Sequence, residues 1–126
     1  MAALGLLALG AVGFAAGTAQ AAEVKKIAIL TPEDPTDYGW NQQGYDAAKA
    51  VAEKYGLTFM PATGLGYGDV HSTLRELAGD GASLMIAHAS GYNTAAPEVG
   101  AETGVPVAIV DRPNDDKPGM IADYTL

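Results

Sequence analysis

The chain contains no cysteine. That excludes disulfide staples, cysteine-based zinc sites and a thiol for lipid attachment near the N-terminus. Basic residues are also scarce, with 7 Lys and Arg against 15 Asp and Glu and a formal net charge of −8. Such acidity leaves no basic patch for nucleic acid or an anionic membrane surface, so neither is expected as a partner. The sequence has no phosphate-binding Gly-Lys-Ser/Thr loop and no Gly-x-Ser-x-Gly elbow. Its two histidines, His71 and His88, are not spaced as metal ligands. Neither a cofactor nor a metal is expected.

The first 21 residues carry no charge and are rich in Ala, Leu and Gly. They end in Ala19-Gln20-Ala21, the small-x-small pattern of a signal-peptidase site, and Glu23, Lys25 and Lys26 follow at once. A membrane span needs about 20 predominantly apolar residues with anchoring flanks, whereas this stretch is interrupted by glycines. It reads as a cleaved signal peptide, although no Lys or Arg precedes its apolar run. Removing 21 of the 126 residues leaves 105, enough for one small domain. An exported chain without cysteine fits a bacterial periplasm or a secreted fluid.

Residues 25–31 form a short apolar run behind two lysines, as a buried parallel strand does. Pro32 and Pro35 end it. Residues 41–55 place Ala47, Ala48, Val51, Ala52 and Tyr55 at helical spacing, and Gly56 closes the helix. A second strand is expected at 57–61, and the glycines of 64–68 read as a flexible loop. Asp69 or Ser72 then caps a helix through Leu77. A third strand fits 83–87, a short helix containing Pro97 fits 94–102, and a fourth strand fits 105–110. After the turn-rich 114–118, residues 119–124 read as a fifth strand. Strand and helix in regular alternation predict an α/β fold with a doubly wound parallel sheet. No helical pattern follows the fifth strand to cover that face, so the sequence is expected to be part of a longer one.

In such a sheet the loops after the strand C-termini converge on one edge, where ligands bind. Those loops hold Asp37, Trp40, Asn41, Ser90, Tyr92 and Asp111. Trp40 offers a stacking face worth about 1–3 kcal/mol to a nucleobase. Asp37 and Asp111 are candidate acceptors for sugar hydroxyls, and Asn41 both donates and accepts, as a purine edge requires. Each has a plainer reading. A single tryptophan is most often packing, and Asp37 or Asn41 can serve as a turn or cap residue. His88 ends a strand at the same edge and reads as a half-buried, satisfied histidine, and His71 as a solvated residue at a helix start. The set 64–68 lacks the Gly-x-Gly-x-x-Gly spacing of a dinucleotide site. A small exported hydrolase using Asp37, His88 and Asp111 remains an alternative that no spacing supports.

The run Asp37-Tyr38-Gly39-Trp40-Asn41-Gln42 resembles the Asp-x-Gly-Trp-Asn-Gln signature of the basic membrane protein family. These are substrate-binding proteins of ABC importers, and they include purine nucleoside receptors. Glu53 to Gly56, Leu74-Arg75-Glu76-Leu77-Ala78, Leu84-Met85-Ile86, Ala89 to Tyr92 and Asp111 follow in matching order. The resemblance implies two α/β lobes of the type I periplasmic-binding-protein kind with ligand clamped between them. Residues 22–126 would be most of the N-terminal lobe. It further implies that Trp40 stacks on a base, that Asn41 and Asp37 contact base or ribose, and that Asp111 holds ribose. The implied partners are a nucleoside-like ligand and an ABC permease, with the receptor a monomer and a binding protein, not an enzyme. Many relatives are lipoproteins, and the missing cysteine sets this chain apart from them. Another ring compound or a sugar is the alternative ligand.

Overall fold

The computed structural model describes residues 23–110 and the backbone of 120–124. The expected signal peptide (1–21), Asp111 and the turn at 114–118 lie outside the described residues. In chain order the elements are β1 (Lys26–Leu30), α1 (Trp40–Tyr55), β2 (Thr58–Ala62), α2 (His71–Gly79), β3 (Leu84–Ala87), a 3-10 turn (Ser90–Tyr92), α3 (Ala95–Thr103), β4 (Val107–Val110) and β5 (Met120–Tyr124). All strand pairs are parallel, in the order β2-β1-β3-β4-β5. This is the expected doubly wound α/β arrangement.

Residue alternation assigns the helices to faces. Ala28 and Leu30 of β1, Met85 and Ala87 of β3, and Val107 and Ile109 of β4 pack with Leu74 and Leu77 of α2 and Ala96 and Val99 of α3. The opposite face of β1, carrying Ile27 and Ile29, turns toward α1. With helices on both sides, β1 is buried from Ile27 to Leu30, which explains its unbroken apolar run. Gly56 ends α1 in the left-handed conformation at φ 65°, with its N–H directed at the Ala52 and Glu53 carbonyls.

Of the five small and apolar residues at helical spacing along α1, only Ala48 and Ala52 are buried; Ala47 is exposed, as are Val51 (41%) and Tyr55 (64%). Helical spacing locates a stripe but not how far the neighbouring layer extends over it. Here α1 packs on β1 and β2 and leaves an open apolar groove of about 410 Å³ lined by Val24, Ile27, Val51, Tyr55, Leu57 and Leu84.

The order 2-1-3 has a functional consequence. The connection after β1 leads to α1 on one face, whereas that after β3 leads to α3 on the other. The strand ends of β1 and β3 therefore diverge, opening the crevice where parallel α/β sheets take ligands.

Candidate functional site

The loop from β1 to α1 is built around Asp37. Its Oδ1 accepts from the backbone N–H groups of Gly39 (3.0 Å) and Gln42 (3.0 Å). Its Oδ2 accepts from the Asn41 backbone N–H (3.0 Å) and side-chain Nδ2 (2.9 Å). Those N–H groups are the orphan donors at the start of α1, so the carboxylate caps the helix from outside it. In return Gln42 Oε1 accepts from the Tyr38 N–H at 3.1 Å, a reciprocal arrangement like a capping box. Four accepted bonds match the full lone-pair capacity of a carboxylate. They hold the Asp37 carboxyl well below the usual range, the Asn41 side chain first among the causes and the Gly39 N–H next. Tyr38 takes the strain of the tight turn, standing at φ 50° with its ring 93% exposed.

Trp40, the first residue of α1, is half-buried and stacks on His88, with ring centroids 4.5 Å apart and planes 15° from parallel. The two residues are also cross-bonded through their backbones. Trp40 Nε1–H donates to the His88 carbonyl (3.3 Å), and His88 Nε2 lies 2.9 Å from the Trp40 carbonyl oxygen, to which it donates in the tautomer protonated at Nε2. His88 is 7% exposed, so it is a buried partner of the tryptophan. A glycine at position 44 is required for this packing, because a Cβ there would fall 2.5 Å from the His88 ring.

Asn41 is 4% exposed. Its Nδ2 is used by Asp37, while its Oδ1 is buried with no hydrogen-bond partner among the described residues. Ser90 opens the 3-10 turn after β3 and is half-buried. Tyr92, two residues on, is fully buried, and its hydroxyl donates to the Gly66 carbonyl at 2.7 Å. Burial pushes that hydroxyl up to about 12, so it stays a neutral donor. Asp111 directly follows the last described residue of β4, Val110, and lies outside the described residues.

Of the six expected site residues, the structure thus brings Asp37, Trp40 and Asn41 together in one cap-and-stack unit. Ser90 stands at the adjoining strand end. Tyr92 lies in the core, where it ties the loop after β2 to the turn after β3. The same edge contains an aromatic residue that the sequence reading passed over. Tyr67 is 64% exposed with its hydroxyl 3.3 Å from Glu33 Oε1. The signal was an aromatic between two loop glycines, which pattern reading treats as a linker. His71, read from the sequence as a solvated residue at a helix start, lies between the exposed side chains of Asp69 and Glu98, with Nε2 2.9 Å from the latter. Asp69 does act at the start of α2, accepting from the His71 N–H at 2.9 Å. Among the described residues no group of acidic or histidine side chains is arranged to hold a metal, and no helix is long and apolar enough to cross a membrane.

No family model matches the chain, and no curated protein matches it. Among solved structures it is similar to an ABC transporter solute-binding protein from Conexibacter woesei DSM 14684, with a TM-score of 0.67 and 19% sequence identity. The match covers 79% of this chain and 35% of that one, so the chain spans about a third of that protein's length. At this identity the likeness is one of fold. What the two share is a parallel α/β sheet flanked by helices.

Proposed function

We propose that this chain is a ligand-capturing lobe of an extracytoplasmic solute-binding protein serving an ABC importer, and that its ligand is a nucleoside or a similar small ring compound. The observation that carries the reading is the seating of the Asp37–Gln42 signature at the diverging ends of β1 and β3, in a fold shared with a solute-binding protein. The resemblance to the basic membrane protein family rests on the same six residues.

The roles divide according to what each side chain has left to offer. One face of Trp40 is taken by His88, and the other is the stacking platform for the ligand ring. Asn41 Oδ1 is a buried acceptor that a ligand N–H or O–H would satisfy; such acceptors rarely go without a donor. Ser90 and Asp111 supply hydroxyl and carboxylate contacts to the sugar. Asp37 and Tyr92, with their polar atoms already bonded, position the others. Closure of a second lobe over this edge would complete the cleft and present the closed form to a permease. Such a protein binds and releases, with no chemistry on its ligand.

Trp40 is the only tryptophan of the chain, so its fluorescence reports the site directly. Titration with adenosine, guanosine, inosine, uridine, ribose and riboflavin is expected to give a saturable change with nucleosides. A folded protein that responds to none of the nucleosides would overturn the ligand assignment. Conversion of a nucleoside to base and ribose would overturn the binding-protein reading in favour of a hydrolase.

A further inference from the structure

The segment 64–68 reads in the sequence as a flexible connection, yet its backbone is pinned at several points. Leu65 N–H donates to the Thr31 carbonyl (3.2 Å) and Gly66 N–H to the Pro32 carbonyl (2.8 Å), both just past the end of β1. The buried Tyr92 hydroxyl holds the Gly66 carbonyl from the other side. Beyond that, Gly91 approaches so closely that a Cβ there would lie 3.2 Å from the Tyr67 carbonyl oxygen. Gly64 and Gly66 make the path possible by taking left-handed conformations, at φ 68° and 71°. The segment therefore leaves β2, crosses the end of β1 and reaches the turn that follows β3. It arches over the point where the two connections diverge.

Tyr67 sits on that arch with its ring 64% exposed and outside the apolar core. Its hydroxyl is tethered to Glu33 on the β1–α1 loop, 3.3 Å away. Desolvation, the Glu33 charge and the more distant Asp37 charge all raise the tyrosine's pKa, so the hydroxyl remains a protonated donor. A large aromatic ring with a fixed backbone and an anchored hydroxyl, exposed at the ligand edge, contributes little to folding. It is the kind of rigid anchor that binding sites use.

The geometry points to Tyr67 as a second aromatic wall of the ligand cleft, an inference that rests on the solute-binding reading above. Its ring contacts the ring system of the bound nucleoside, and Glu33, acting through the tyrosine hydroxyl, is a positioning residue that sets the ring's orientation.

The test is an NMR titration of the isotope-labelled full chain with inosine, comparing wild type with Tyr67→Ala, Tyr67→Phe, Glu33→Ala and Trp40→Ala. Tyr67→Ala is expected to weaken binding by about tenfold, as loss of one stacking contact does. Its thermal unfolding is expected to be unchanged, since the ring lies outside the core. Tyr67→Phe keeps the ring and is expected to stay within about threefold, and Glu33→Ala should weaken binding less than Tyr67→Ala. Unchanged affinity in Tyr67→Ala, while Trp40→Ala loses binding, overturns the inference and leaves the solute-binding reading standing. Absence of any inosine-dependent shift in folded wild type overturns the nucleoside reading and this inference with it. Should Tyr67→Ala lower thermal stability, Tyr67→Leu decides, because it keeps bulk without the aromatic face; retained affinity there also overturns the inference.

Discussion

Trp40 and His88 are 48 residues apart in sequence yet share a ring stack at 4.5 Å and a pair of side-chain-to-carbonyl contacts in opposite directions. This reciprocal pairing locks the start of α1 to the end of β3 and covers one face of the indole. Trp40→Ala is expected to weaken nucleoside binding by at least about tenfold, or roughly 1.4 kcal/mol, as read by calorimetric titration. Unchanged affinity would remove Trp40 from the site.

The tight fit of His88 beneath α1 yields a stability test. Gly44→Ala would place a methyl 2.5 Å from the imidazole, and overpacking of this kind costs about 1–3 kcal/mol. The urea midpoint should fall accordingly. The double variant with His88→Ala should recover part of the loss, because the two sites couple directly.

Asp37 makes the fold acid-sensitive in a definite direction. Its carboxyl is held below the ordinary 3.8 by the Asn41 side chain and the N–H groups of Gly39, Asn41 and Gln42. A depressed folded-state value adds stability that is present above the unfolded value and is lost as pH falls through the folded one. Chemical denaturation below about pH 3.8 should therefore weaken wild type more steeply than Asp37→Asn. Parallel pH profiles would remove this role from Asp37.

His71 gives the opposite sign. Both ring nitrogens face carboxylate oxygens, of Asp69 and of Glu98, which only accept, so the protonated ring donates to both at once. Glu98 first and Asp69 second raise its pKa above 6.5. The linkage between α2 and α3 is thus fully present below 6.5 and is lost as pH rises through the raised value. Arg75, bonded to Glu102 at 2.9 Å across the same helix pair, keeps its charge throughout. Denaturation midpoints of wild type should decline across that window relative to His71→Gln, and the His71 ring signals should titrate above 6.5.

Tyr92→Phe removes only the hydroxyl that holds the Gly66 carbonyl at 2.7 Å. The expected cost is about 0.5–1.5 kcal/mol for one buried hydrogen bond, measurable by thermal melt. A melting temperature equal to that of wild type would show that the arch is held by its backbone bonds alone.

The alternation of short apolar runs with helical spacing was legible because burial on both faces forces a strand to be apolar throughout. Gly56 was legible as a helix end because the left-handed turn there suits glycine above all other residues. Asp37, Trp40 and Asn41 stood out because loops after parallel strands meet at one edge. Their individual duties were not legible. The single-file sequence puts Trp40 far from His88, Tyr92 from Gly66 and Tyr67 from Glu33, and each of those pairings depends on strand order.

Local chemistry in the sequence alone therefore settled the α/β class and the positions of the elements along the described chain. Only the tertiary structure decided that β1 lies between β2 and β3, and hence which loops face one another. It also decided that Asp37 spends its oxygens on capping α1, and that Tyr92 is core while Tyr67 faces solvent. The physical reason is that helix and strand periodicity are properties of neighbouring residues. Saturation of a carboxylate and exposure of a ring depend instead on groups brought together from distant parts of the chain.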